Sequence, residues 1–188
     1  MNKMKEETNK TKEENKIILA IDGATKTGWA LYTNGKITAH GTKQFKKETR
    51  ESQYGNWLET MITKYGITNI VAEDIYRQQD RTRDKAFQVL ANLQGVLNYM
   101  VQTHKVEPYY ISPISVKNHM NITPPFRKLQ SDEEKQRQRV LNKTRMINRV
   151  KQLGYVLEND KADDEADAIG ILISYLEIYE LPVKHPAR

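Results

Sequence analysis

A chain of 188 residues with 38% hydrophobic and 29% charged side chains has the composition of one folded domain, which excludes a multidomain machine or a fibrous protein. Its 30 Lys and Arg against 24 Asp and Glu leave a net charge of +6, which favours an acidic polymer as partner, nucleic acid being the commonest. With no cysteine, disulfides, thiolate nucleophiles and Cys-ligated zinc or iron–sulfur centres are excluded, so any metal must be held by oxygen or nitrogen.

Residues 1–16 carry five Lys and four Glu and no periodic apolar face, which predicts a disordered charged tail ahead of a single domain over 17–188. That opening stretch lacks the apolar centre of a secretion signal, and no apolar run approaches the roughly 18 residues of a membrane span, so a cytoplasmic protein without membrane contacts is expected. The run IILAI from Ile17 reads as a strand buried on both faces, with Asp22 at its end. Two extended segments follow around Asn34-Gly35, a dipeptide suited to the positive φ of a tight hairpin. Trp57, Leu58, Met61, Ile62 and Tyr65 then fall at helical spacing before a stop at Gly66.

A fourth strand, Ile70 to Ala72, leads into Glu73, and Phe87, Leu90, Ala91, Leu93, Leu97 and Met100 suit a long helix after it. Residues 108–112 predict a fifth strand. Pro124-Pro125 breaks the chain, and helical spacing resumes at Val140, Met146, Ile147 and Val150 before Gly154. The last helix is predicted from about Asp164 to Tyr179. The order βββαβαβ followed by helices implies an α/β domain with a five-stranded mixed sheet, because the opening hairpins are antiparallel and the later crossovers helical.

Four carboxylates stand out by position: Asp22 and Glu73 at strand ends, and Asp164 and Asp167 at the start of the last helix. If the first and fourth strands are neighbours, Asp22 and Glu73 face one another, and a helix across that edge adds the other two. Asp164 and Asp167, three apart, share a helical face with Ala168 and Ile171, opposite a core stripe of Ile169, Leu172, Ile173 and Leu176. Carboxylates gathered in this way raise one another's pKa unless a cation lies between them, and hard oxygen donors suit Mg²⁺ or Mn²⁺. Such a centre serves hydrolysis of a phosphodiester. Taken singly, Asp22 reads as a turn former, Glu73 as a solvated strand end, and Asp163, Asp164, Glu165 and Asp167 as an acidic first turn favoured by the helix dipole. Their joint placement favours the catalytic reading.

The segments AIDGATKTGWAL, VAEDIY, SPISVKNH and DDEADAIGIL, in this order and spacing, resemble the RuvC family of Holliday junction resolvases over about residues 17–178. The most specific parts are Asp22 followed by Thr27-Gly28, and Asp164, Asp167 and Ala168. The resemblance implies a ribonuclease H-like fold and a structure-specific endonuclease of DNA recombination and repair. It also implies a homodimer that nicks two strands of a four-way junction symmetrically, with Asp22, Glu73, Asp164 and Asp167 as catalytic and metal-binding residues and no small-molecule cofactor. By the resemblance the long helix from Ala86 to Met100 would carry the dimer interface, although its apolar residues equally suit a monomer's core. Gly23 stands where the family often has Pro, which loosens the turn without removing a ligand. A charged insertion over residues 119–142 resembles phage-encoded members, for which several kinds of branched DNA are expected substrates.

Between Lys117 and Lys151 ten basic residues face three acids, a surplus of seven that exceeds the net charge of the whole chain and leaves the rest at minus one. The basic character is therefore a local patch suited to phosphates. Lys117 and Lys143 follow the family's pattern of basic residues flanking the site, with Arg145 and Arg127 as weaker candidates. After Glu73 the sequence interleaves Tyr76 with Arg77, Arg81 and Arg83, and Tyr76 lies where the family places an aromatic that stacks on an unpaired base. His40 reads as structural, and His104, His119 and His185 lie in no ligand spacing. Two other classes compete: a non-catalytic junction-binding protein that kept the fold, and an actin-like ATPase or sugar kinase, for which the chain lacks a second lobe and phosphate loop.

Overall fold

The computed structural model describes residues 16–75, 85–122, 131–159 and 161–186. The tail expected over residues 1–16 therefore lies outside the described residues except for Lys16, as do Pro124-Pro125 and a third of the stretch expected as an insertion. The strands are β1 (Ile18–Asp22), β2 (Lys26–Thr33), β3 (Lys36–Gln44), β4 (Asn69–Glu73) and β5 (Glu107–Ile111). The helices are α1 (Arg50–Tyr65), α2 (Lys85–His104), α3 (Pro113–His119), α4 (Asp132–Gln152) and α5 (Asp163–Ile178). The sheet runs β3-β2-β1-β4-β5, with β1 antiparallel to β2 and parallel to β4.

Local sequence explains most boundaries. Asn34 and Gly35 take φ of 53° and 80°, and two consecutive positive φ values close the hairpin with the twist its strands need. Gly66, at φ 64°, ends α1 by donating its N–H to the Ile62 carbonyl at 2.9 Å. Two helix starts differ from the sequence reading. Ser112 caps α3 by accepting from the Ser115 N–H at 3.1 Å, with Pro113 in the first turn, so SPISVKNH is a short helix that spacing alone did not predict. Ser131 caps α4 in the same way through the Glu134 N–H, which starts that helix well before Val140. Val140 is 56% exposed and not a core position; only Met146 and Val150 of α4 are buried.

The central strands divide two cores by the alternation of a pleated strand. Ile18 and Ala20 of β1, Ala30 and Tyr32 of β2 and Val71 of β4 pack with α3, α4 and α5. Leu19, Ile21, Leu31, Ile70 and Ala72 pack with α1 and α2 on the other face. By the same alternation Asp22 and Glu73, two residues beyond Ala20 and Val71, turn toward the α5 face.

α5 corrects the expected two-sided helix. From Glu165 to Leu176 every residue except Asp167 is buried, Ala168 and Ile171 included. The helix lies across the face of the sheet over β1 and β2 rather than at an edge, and α3 and α4 cover the side opposite the expected core stripe. Gly170 admits this cover: a Cβ there would meet the Met146 sulfur at 2.8 Å. Gly28 admits the contact beneath, since a Cβ on it would lie 1.8 Å from the Asp164 carbonyl oxygen. Backbone cannot yield that distance without moving the first turn of α5. Gly28→Ala is expected to destabilise the protein by at least about 2 kcal/mol, the upper part of the range for overpacked interiors, as read by urea denaturation; a loss under about 0.5 kcal/mol would show that the turn moves freely.

Candidate active site

Parallel pairing of β1 with β4 places Ile21 beside Ala72, so the next residues, Asp22 and Glu73, leave the sheet side by side. α5 crosses above them and brings down Asp164 from its first turn and Asp167 from the start of its second. Their charges act on Asp22 and Asp167 above all. Burial, then the charges of Asp167, Glu73 and Asp164, hold the Asp22 carboxyl well above the usual aspartate range, with Lys143 opposing. Asp167 is pushed up to about 7 by burial and then by Glu73, again against Lys143. Glu73 is raised by burial and opposed by Lys117, and Asp164 is raised by burial and Asp163 and opposed by Lys26 and Lys143. All four expected carboxylates thus share one electrostatic neighbourhood.

A cleft of about 230 Å³ opens beside them, lined by Glu73, Asp167, Lys117, Arg139, Asn142 and Lys143 over an apolar floor that includes Val116, Met146 and Ile171. Arg139, Asn142, Lys143 and Met146 recur at helical spacing on one face of α4, and that spacing is the signal by which Arg139 and Asn142 could have been picked out of the basic run. Arg145 lies off this face and lines neither this cleft nor the apolar crevice on the other side of Asp22 and Glu73. Arg127, Tyr76, Arg77, Arg81 and Arg83 lie outside the described residues.

Two cations hold the rim. Lys143 donates to Asp163, a bond that raises the lysine, and although burial acts to raise Asp163, that bond and the lysine's charge hold it below the ordinary range. Lys26, at the start of β2, lies 3.7 Å from Asp164. Neither Asp163 nor Lys26 was singled out from sequence; the register Asp22 opposite Gly28 carries β2 past the end of β1 and puts Lys26 at the mouth of the site.

Among the described residues, no three acidic or histidine side chains converge into a ready-made ligand shell. The donors nevertheless suit a hard divalent cation: carboxylate oxygens, mutually repelling, partly buried and flanked by lysines that relieve only part of the charge.

No protein-family model matches the sequence, and no curated protein does at a significant level. Solved structures do. RuvC of Thermus thermophilus in complex with a Holliday junction substrate superposes with a TM-score of 0.64 over 91% of this chain and 99% of that one, at 12% identity. The chain has the RuvC fold. A further structure of Thermus thermophilus RuvC gives 0.58 at 15% identity, covering 88% and 97% of the two chains. The yeast mitochondrial Holliday junction resolvase gives 0.57 at 17%, covering 86% and 78%. The five-stranded mixed sheet flanked by helices is therefore the ribonuclease H-like fold expected from the sequence, and the likeness to the RuvC structures extends along nearly the whole chain.

The electrostatics predict how stability depends on pH without divalent ions. Asp167 titrates at about 7 in the folded protein, against about 3.9 in an unfolded chain, so the folded state holds the extra proton between those values. The stability this contributes is complete below about pH 4 and is lost as pH rises through 7. In EDTA the melting temperature is expected to be higher at pH 5.5 than at pH 8, with the difference reduced in Asp167→Asn. Calorimetry showing equal pH dependence in the two proteins would contradict the shift.

Proposed function

We propose that this chain is a divalent-metal-dependent endonuclease that resolves Holliday junctions, and other branched DNA, by nicking two strands symmetrically as a homodimer. One observation carries the reading: four carboxylates repel one another at the C-terminal ends of β1 and β4 and the first turn of α5, beside a basic cleft, on the RuvC fold. In this reading Asp22, Glu73, Asp164 and Asp167 hold Mg²⁺, for which Mn²⁺ can substitute. A divalent ion held by these four carboxylates would supply activation of a water and charge stabilisation on the leaving oxygen. Lys117, Lys143 and Arg139 line the same cleft and provide the phosphate contacts that align the strand, and the remaining basic residues of α4 extend that track.

The exposed side of α2, where Tyr99 is 67% accessible, is the surface through which the homodimer forms in this reading. That Thermus thermophilus RuvC was solved with a Holliday junction supports branched DNA as the substrate class.

Synthetic four-way junctions, three-way junctions, flaps and linear duplex, each incubated with Mg²⁺, Mn²⁺ or EDTA, test the assignment. Nicking is expected for branched species with metal and for none in EDTA, and Asp167→Asn should abolish cutting while binding the junction nearly as well as the parent protein. Cutting that survives in Asp167→Asn would remove the acid site from the chemistry, and junction binding without any cutting by the parent protein would favour a non-catalytic binder. Lys143→Ala should weaken binding and lower the slope of log affinity against log salt by about 1, through loss of one phosphate contact. An unchanged slope would take Lys143 out of the interface.

A further inference from the structure

The first turn of α5 carries one more acid, which takes no part in the cleft. Glu165 lies between Asp164 and Asp167 in sequence and is the one acidic side chain fully buried among the described residues. It points to β3. His40 Nδ1 lies 2.5 Å from Glu165 Oε1, and the Glu158 N–H donates to Glu165 Oε2 at 2.9 Å. A carboxylate only accepts, so the ring nitrogen facing it carries the hydrogen. Both oxygens are thus engaged, each by a different part of the chain.

The contacts continue outward. Glu158 in turn accepts from the Thr42 hydroxyl at 3.0 Å, which ties the segment before α5 to β3. Tyr155 packs edge-on against the His40 ring, with centroids 6.1 Å apart. On its other side the same helical turn rests on Gly28. Ala162, the residue at the N-cap, makes no side-chain cap hydrogen bond, so the start of α5 is anchored through Glu165 and not through its cap.

A carboxylate buried in this way is a poor choice for stability alone, because apolar side chains of similar volume generally serve as well or better than a buried charged pair. What it adds is a fixed direction. A hydrogen-bonded carboxylate fixes both rotation and depth, whereas apolar contacts tolerate sliding. Asp164 and Asp167 flank it on a rigid turn, so any rotation at Glu165 moves both acids relative to Asp22 and Glu73 on the sheet.

We infer that Glu165, clamped by His40 and the Glu158 backbone, is the positioning residue of the acidic site: it sets the rotation of the first turn of α5 and so the spacing of Asp164 and Asp167 against Asp22 and Glu73. This rests on the proposed role of those four acids as holders of a divalent ion. Partners behind a ligand commonly change metal affinity by about 10- to 100-fold when removed.

The test uses the full chain, with Mn²⁺ binding followed by electron paramagnetic resonance in the absence of DNA, junction affinity in EDTA, and melting temperature. The double variant Glu165→Leu with His40→Leu replaces the clamp by apolar packing, and Glu165→Gln keeps an acceptor for the Glu158 N–H and a partner for the ring. The double variant is expected to melt near or above the parent protein and bind the junction within about twofold, yet bind Mn²⁺ about tenfold more weakly; Glu165→Gln should recover to within about threefold. A double variant that is stable and binds Mn²⁺ like the parent overturns the positioning role. If that variant does not fold, Glu165→Asp, which keeps the charge and shortens its reach by one methylene, is read instead: weakened Mn²⁺ binding supports the clamp and parental binding overturns it. A parent protein that binds no Mn²⁺ sinks the nuclease reading and the clamp with it, whereas parental binding matched by every variant sinks the clamp alone.

Discussion

Like charges confined at the C-terminal ends of two adjacent parallel strands set the terms for the rest of this structure. Two carboxylates about 4 Å apart repel by about 4 kcal/mol at the effective dielectric of a protein surface, and Asp22 has three acidic neighbours that act on it. Something must hold the first turn of α5 over the sheet against that repulsion. The apolar body of α5 does so. Ile169, Ile171, Leu172, Ile173, Tyr175 and Leu176 are all buried, and full burial of a large apolar side chain contributes about 1.5 to 3 kcal/mol. Together these contribute about 9 to 18 kcal/mol, the same order as the roughly 12 kcal/mol from three such neighbours, so a helix that is buried on all sides is the support an acidic cluster needs. A two-sided helix would have half the anchor.

The residual repulsion is relieved unevenly. Lys143 from α4 and Lys26 from β2 reach Asp163 and Asp164 at the rim, while Lys117 acts on Glu73 from α3. None of them forms an ion pair with Asp22 or Asp167 among the described residues. The deepest carboxylates, Asp22 and Asp167, are therefore left with the strongest demand for a proton or a small cation. In the proposed function the basic face of α4 would attract the nucleic-acid strand and the acids beside it a small cation. That is the arrangement the proposed function calls for, and it follows from where the helices cross the sheet.

Much of this was legible in the sequence. IILAI ending in Asp22 and IVA ending in Glu73 are runs whose strand character and terminal acid are local properties, and the Asn34-Gly35 hairpin is a local property too. What stayed hidden depended on contacts between distant segments. α3 is a seven-residue helix whose start depends on one serine cap and a proline, too short for periodicity to register. Val140 was read as apolar spacing on a helix whose N-terminal half is solvated, because the sequence cannot say how far along its length α4 meets α5. Ala168 and Ile171 looked like the outer face of the last helix for the same reason. The partnership of His40 with Glu165 spans 125 residues and exists only because β3 pairs with β2 in the register that sets His40 opposite Ala30, beneath α5.

The acidic run of α5 shows how helical geometry turns one sequence feature into several different roles. Asp163, Asp164, Glu165 and Asp167 are nearly consecutive, and in sequence they form a single negative segment at a helix N-terminus. Successive side chains point about 100° apart, so the segment cannot act as one cluster. Asp163 turns to Lys143 on α4, Asp164 to Lys26 on β2, and Glu165 to His40 on β3. Asp167, one turn beyond Asp163 and Asp164, faces Glu73 in the cleft with no ion pair of its own among the described residues. Shifting the run by one residue would aim Asp167 into the packed interior and bring an alanine to the cleft. The function of each acid is thus fixed by its phase on the helix, and the phase is held from outside by the clamp on Glu165, the glycine beneath and the helix α4 above.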